Sequence, residues 1–157
     1  TFSSPWALNS GIENVSGFFF AYAIAAALIR VTLGGLADRT GHLRVAAGAM
    51  ALYTLCPLIL IPVATVGLYL PGVAIGIAHG LYYPSLNALA INLGDERVRG
   101  TVMALFNGSF NVGFSLGSLG LGLVAAAIGY PGMFASSSVA GVLCLGLLIT
   151  MARRPAR

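Results

Sequence analysis

The sequence predicts an all-α fold, a polytopic membrane helix bundle with five transmembrane helices, and three observations predict it. The 157 residues are 58% hydrophobic and only 8% charged, against roughly 25% charged in an ordinary soluble domain, and the mean hydropathy is +0.93. Two stretches, Val45 to Gly94 (50 residues) and Gly100 to Ala152 (53 residues), contain no Asp, Glu, Lys or Arg. Turn-forming residues interrupt each stretch near its middle. As a straight helix at about 1.5 Å per residue, either would extend roughly 75 to 80 Å. That far exceeds a hydrocarbon core of about 30 Å, so each must fold into a helical hairpin.

Taken in order, the first span runs near 12–36 and ends in a polar loop carrying Asp38, Arg39 and Arg44. The second, near 45–64, stops where Pro62 to Pro71, with Thr65, Gly67 and Tyr69, breaks the first charge-free run. The third, near 68–93, ends at Asp95-Glu96-Arg97. The fourth, near 100–128, ends at Gly129-Tyr130-Pro131-Gly132, and the fifth occupies 132–152. Thr1 to Ser16 has no basic flank ahead of an apolar stretch, so no secretory signal is expected. The chain is expected to be a fragment. Cys56 and Cys144 lie inside apolar runs and act as small hydrophobes, with no metal or disulfide framework.

The net charge of +4 comes from eight arginines, with no lysine, against four acids. Arg30 lies near the end of span one, Arg39 and Arg44 follow it, Arg97 and Arg99 follow span three, and Arg153, Arg154 and Arg157 follow span five. All eight fall on one face of the membrane. The positive-inside rule then predicts an external N-terminus and a cytoplasmic C-terminus, and the expected location is a bacterial inner (plasma) membrane. Trp6, Tyr69 and Tyr130 fall at the opposite boundary, where amphipathic rings favour the headgroup layer. So few, one-sided charges exclude a nucleic-acid-binding surface.

Polarity separates the spans further. Span two offers only Tyr53, Thr54 and Cys56, and the middle of span five only Cys144, so both are expected at the periphery. Span three carries His79, Tyr82, Tyr83, Ser85, Asn87 and Asn92, and span four carries Asn107, Ser109, Asn111, Ser115 and Ser118. Polar groups in hydrocarbon need partners or water, which points spans three and four toward an aqueous pathway. His79, Tyr83 and Asn87 form an i, i+4, i+8 row on one helix face. A neutral imidazole there can donate and accept a hydrogen bond. On span four, Asn107, Asn111 and Ser115 share a face beside Phe106, Phe110 and Phe114, a pairing that suits an amphipathic or aromatic solute. Gly72, Gly76 and Gly80, and likewise Gly113 and Gly117, form small-residue stripes that predict helix packing. No acid dyad, metal-ligand cluster or nucleophile–base pair occurs within the spans, so neither catalysis nor a cofactor is expected.

The loop after span one reads Gly34-Gly35-Leu36-Ala37-Asp38-Arg39-Thr40-Gly41-His42-Leu43-Arg44. It resembles the G-x-L-a-D-R-x-G-R-K signature of the major facilitator superfamily of secondary transporters, matching at Gly34, Leu36, Ala37, Asp38, Arg39 and Gly41. His42 and Leu43 stand in place of the basic pair, and Arg44 supplies one charge a step later. Gly76-Ile77-Ala78-His79-Gly80-Leu81-Tyr82-Tyr83-Pro84 resembles that family's tenth helix, and Glu96-Arg97-Val98-Arg99-Gly100 the loop before its eleventh. The resemblance implies the second, degraded copy of the signature, hence helices 8 to 12 of the C-terminal half, with an N-terminal half as partner. It implies secondary active transport of a small solute through the bilayer by alternating access, in an efflux or metabolite carrier. A non-transporting membrane scaffold or assembly subunit is the competing class. The pathway candidates are then His79, Tyr83, Asn87, Asn107, Phe110, Asn111 and Arg30. A cytoplasmic latch would pair Asp38 with Arg97 or Arg99, and Asp95 or Glu96 with Arg39 and Arg44.

Overall fold

The computed structural model describes residues 2–12, 14–92 and 95–152. Every regular element among them is helical: α1 Ser3–Asn9, α2 Ser16–Leu33, α3 Leu36–Thr40, α4 His42–Leu60, α5 Val63–Val66, α6 Tyr69–Asn92 and α7 Arg99–Ala152. Helix α7 breaks at Gly129, whose φ of 78° and ψ of 173° lie outside the helical region. A side chain there would be strained, so glycine at this turn is a backbone requirement. The two arms, 99–128 and 130–152, fold back on one another. Among the described residues α2, α4 and the α7 stretch Arg99–Thr150 are long and apolar enough to cross a membrane. Helix α6, at 24 residues, spans about 36 Å but carries the polar side chains that set it apart from those three.

Helix α6 is the hub, packed along α2 on one side and α4 on another, and α4 packs in turn against α7. Helices α2 and α6 run parallel in close contact. A Cβ added at Gly72 would lie 2.7 Å from the Phe18 carbonyl oxygen, and one at Gly76 would lie 2.6 Å from that of Tyr22. The first glycine stripe is thus the seam of the bundle. The second is not: nothing approaches within 4 Å of a Cβ placed at Gly113 or Gly117. Their arm turns Val112, Phe114, Leu116, Leu119 and Leu123 outward.

Span two, expected at the periphery, has α6 and α7 as neighbours, with Thr54 lying against Gly141 of the second arm. Two of its three polar groups are absorbed locally, while Tyr53 turns toward α6. Thr54 donates to the Met50 carbonyl at 2.8 Å and Cys56 to that of Leu52. A polarity count therefore understates how much of α4 is covered.

At the end holding the Gly129 turn, Leu60, Met133 and Phe134 form a buried cluster, with Trp6 and Tyr130 packed against it. The Trp6 indole donates to the Leu60 carbonyl at 2.7 Å and its ring lies 5.5 Å from that of Tyr130. That carbonyl is in the last turn of α4, where intrahelical donors run out. Trp6→Phe keeps an aromatic ring but removes the donor and part of the indole's packing, and is expected to destabilise the protein by at least about 1 kcal/mol in a thermal melt. No change would show that water replaces the indole there.

The arginines gather at the other end. Arg30, Arg39 and Arg44 flank the α2–α4 turn, and Arg97 and Arg99 precede or open α7. Arg153, Arg154 and Arg157 lie outside the described residues. Helix α2 stops at Leu33, short of the expected 36, because Leu36–Thr40 forms its own single turn, α3. Gly41 joins α3 to α4 at φ 97°, ψ 127°, the left-handed geometry that makes this position of the loop a glycine.

Candidate functional site

Partway along α6, where the seam with α2 continues past Gly76, the helix turns His79, Tyr82 and Tyr83 toward its other neighbours. From α2, Tyr22 reaches across with its hydroxyl 2.5 Å from Nδ1 of His79, the two rings stacked at 5.9 Å and 22°. From α4, Tyr53 lies 6.4 Å from the His79 ring and 6.1 Å from that of Tyr82. Tyr83 lies 6.1 Å from His79 and meets the first arm of α7, 6.2 Å from Phe106 and 5.4 Å from Phe110. Its hydroxyl donates to Oδ1 of Asn107 at 3.0 Å. All these separations fall in the range where aromatic rings attract, about 4.5–7 Å between centroids. Four elements therefore share one hydroxyl-rich aromatic belt.

Of the residues expected on a solute pathway, the belt brings together His79, Tyr83, Asn107 and Phe110. Asn111 sits one turn further along α7 and donates through Nδ2 to the Asn107 carbonyl at 2.9 Å. Asn87 is half-buried on α6, outside the belt's hydrogen bonds among the described residues. Arg30 goes elsewhere. It lines a cleft of about 360 Å³ at the arginine-rich end, with Asp38, His42, Pro84 and Ser85. Tyr22, Tyr53 and Tyr82 belong to the belt although sequence periodicity did not single them out for it. Tyr22 carried a legible sign, as a lone phenol in an apolar span needing a hydrogen-bond partner.

The polar loops are built differently from the expected latch. Asp38 lies 3.6 Å from Nε2 of His42, and Arg99 lies 3.6 Å from Glu96. Among the described residues no ion pair joins the two loops. Both pairs are helix-spaced neighbours, which meet without the cost of bringing separate loops together. His42 thus takes up the acid in place of Arg97 or Arg99. The Asp38 and Glu96 side chains are 73% and 88% exposed, so each pair adds little to stability.

Among the described residues no group of three or more His, Cys, Asp or Glu side chains is placed to hold a metal ion. What the belt offers is π-faces, hydroxyls, amides and one imidazole, the chemistry of binding an organic solute. A family model described as Major Facilitator Superfamily matches residues 7–157. No solved structure matches the chain.

Proposed function

The chain belongs to the Major Facilitator Superfamily of membrane transporters, and from that premise we propose that it forms the C-terminal part, helices 8 to 12, of a secondary active transporter. In this reading it moves a small solute, as an efflux or metabolite carrier, by rocking against an N-terminal half about a site near the bilayer midplane. The observation that carries the reading is the belt itself. Tyr22, His79, Tyr83 and Asn107 link three long helices by hydrogen bonds and ring contacts at mid-depth. A scaffold has no use for such a polar row in hydrocarbon. The outward-turned arm 99–128, with Asn111 exposed, is the surface offered to the other half. Arg30, Arg39, Arg44, Arg97 and Arg99 mark the cytoplasmic end, and Trp6, Tyr69 and Tyr130 the external one.

The test is accessibility from both faces. In the full-length protein, with Cys56 and Cys144 replaced by alanine, Asn111→Cys is expected to react with a membrane-impermeant methanethiosulfonate in right-side-out and in inverted vesicles alike. Alternating access requires both. Labelling from one face only, or from neither, would exclude it and favour a static membrane subunit.

A further inference from the structure

The transporter reading leaves the solute open, and the belt's composition narrows it. Its rings form one connected surface, from Tyr22 through His79 to Tyr83 and on to Phe106 and Phe110. The surface is open at the α7 end, where Phe110 is 41% exposed. Nothing lies within 4 Å of a Cβ placed at Gly108 or Gly113, the glycines on either side of Phe110 and Asn111 in sequence. Among the described residues the exposed face of Phe110 leaves a flat molecule room to approach it.

The polar edge of that surface has a definite hydrogen-bonding pattern. Asn107 uses Oδ1 to accept from Tyr83, which leaves its amide NH₂ as a donor. Asn111 spends Nδ2 on the Asn107 carbonyl, which leaves its Oδ1 as an acceptor one helical turn away. With Tyr22 on Nδ1, His79 keeps Nε2 without a protein partner among the described residues. With Nδ1 engaged, the neutral ring offers Nε2 alone, as a donor when Nδ1 accepts from Tyr22 and as an acceptor in the other tautomer.

Charge completes the selection. The acids of the chain are Glu13, Asp38, Asp95 and Glu96, and none lies in α2, α4, α6 or α7. A permanent cation would meet π-faces but no counter-charge. A carboxylate would meet no guanidinium among the belt's own side chains, since Arg30 lines the adjoining cleft and acts on His79 only from there. A cation would recover part of its lost hydration on the π-faces and a carboxylate part of its own from Arg30 at a distance, whereas an uncharged molecule has far less hydration to give up.

We propose that the belt recognises an uncharged, planar aromatic solute with a hydrogen-bonding edge, its ring against Tyr83 and Phe110 and its edge on Asn107 and Asn111. The proposal rests on the transporter reading, and equilibrium binding tests it separately. The probe is 2-naphthol, neutral at neutral pH, titrated into full-length protein in nanodiscs and followed by its own fluorescence. Three relatives serve as comparisons: saturated decahydro-2-naphthol, anionic 2-naphthoate and a cationic naphthyltrimethylammonium.

Saturable 2-naphthol binding is expected, at least about tenfold tighter than for each relative. Phe110→Leu and Tyr83→Leu should each weaken it by roughly three- to tenfold, the worth of an aromatic pair. Tyr83→Phe, which keeps the ring, should weaken it less. If Tyr83→Leu fails to assemble, Asn111→Ala decides, since Asn111 is exposed and its loss should still weaken binding several-fold. Equal binding of the saturated relative, tighter binding of either ion, or unchanged 2-naphthol affinity in these variants would overturn the proposal. Two-sided labelling of Asn111→Cys with no 2-naphthol binding would do so while leaving transport intact. One-sided labelling with selective 2-naphthol binding would remove transport and keep the site.

Discussion

Gly76→Ala is expected to cut the yield of folded full-length protein several-fold and lower its melting temperature, while Gly113→Ala leaves both where they were. The added methyl at 76 would sit 2.6 Å from the Tyr22 carbonyl oxygen, 2.8 Å from Cβ of Ala25 and 3.2 Å from the Ala26 nitrogen. None of these atoms can rotate away, so α2 itself must retreat. Overpacking of this kind costs about 1–3 kcal/mol, and in a bilayer close helix contact is itself the main source of association. Because the obstructing carbonyl belongs to Tyr22, the same shift would pull the phenol from His79. Size-exclusion chromatography of the detergent-solubilised protein across a temperature series measures both effects. A Gly76→Ala protein as stable as the unsubstituted one would show the α2–α6 seam to be looser than described.

The second large effect is expected at His79. His79→Ala removes the ring that joins Tyr22, Tyr53 and Tyr83, and should reduce transport by at least about tenfold at equal membrane expression. Losing one hydrogen bond is worth about 1 kcal/mol, or roughly fivefold. The ring contacts, at about 0.5–1.5 kcal/mol each, add to it. Tyr22→Phe should fall between, since it gives up only the hydroxyl. Cys56→Ala and Cys144→Ala serve as controls, lying outside the belt. Unsubstituted transport kinetics in His79→Ala would make the imidazole a packing group and move the solute elsewhere.

Much of this arrangement is legible from residue spacing. Charge-free runs too long for one crossing dictate hairpins, and Gly129 with Pro131 marks where the second one turns. Helical period places His79 and Tyr83 on one face, and Asn107 and Asn111 on another. Periodicity says nothing of how one helix is rotated against the next, and there the reading stops. Tyr22 and Tyr53 join the belt only because of those rotations. Gly113 and Gly117 have the same spacing as Gly72 and Gly76, yet only the latter pair touches a neighbour. Asp38 illustrates a second limit, since opposite charges on one membrane face invite a long-range pair, whereas the residue four positions along is already within reach. Trp6 shows a third: its contact with Leu60 spans 54 positions and depends on where α4 ends.

The break at Gly129 also bears on how the chain enters the membrane during synthesis. Between Gly100 and Ala152 there is no charged side chain, and a turn near Gly129, Tyr130 and Pro131 is all that has to emerge on the far side. A hairpin of this shape can pass sideways into lipid as a preassembled pair, without threading a hydrated loop through the insertion machinery. Its second arm, rich in Leu and Val, gains free energy on insertion, at about 0.3–0.6 kcal/mol for each such residue near the centre. That gain helps carry in the first arm, whose asparagines and serines would make it a poorer passenger alone. In the orientation proposed above, Arg97 and Arg99 stay behind on the side of synthesis and fix which way round the pair comes to rest.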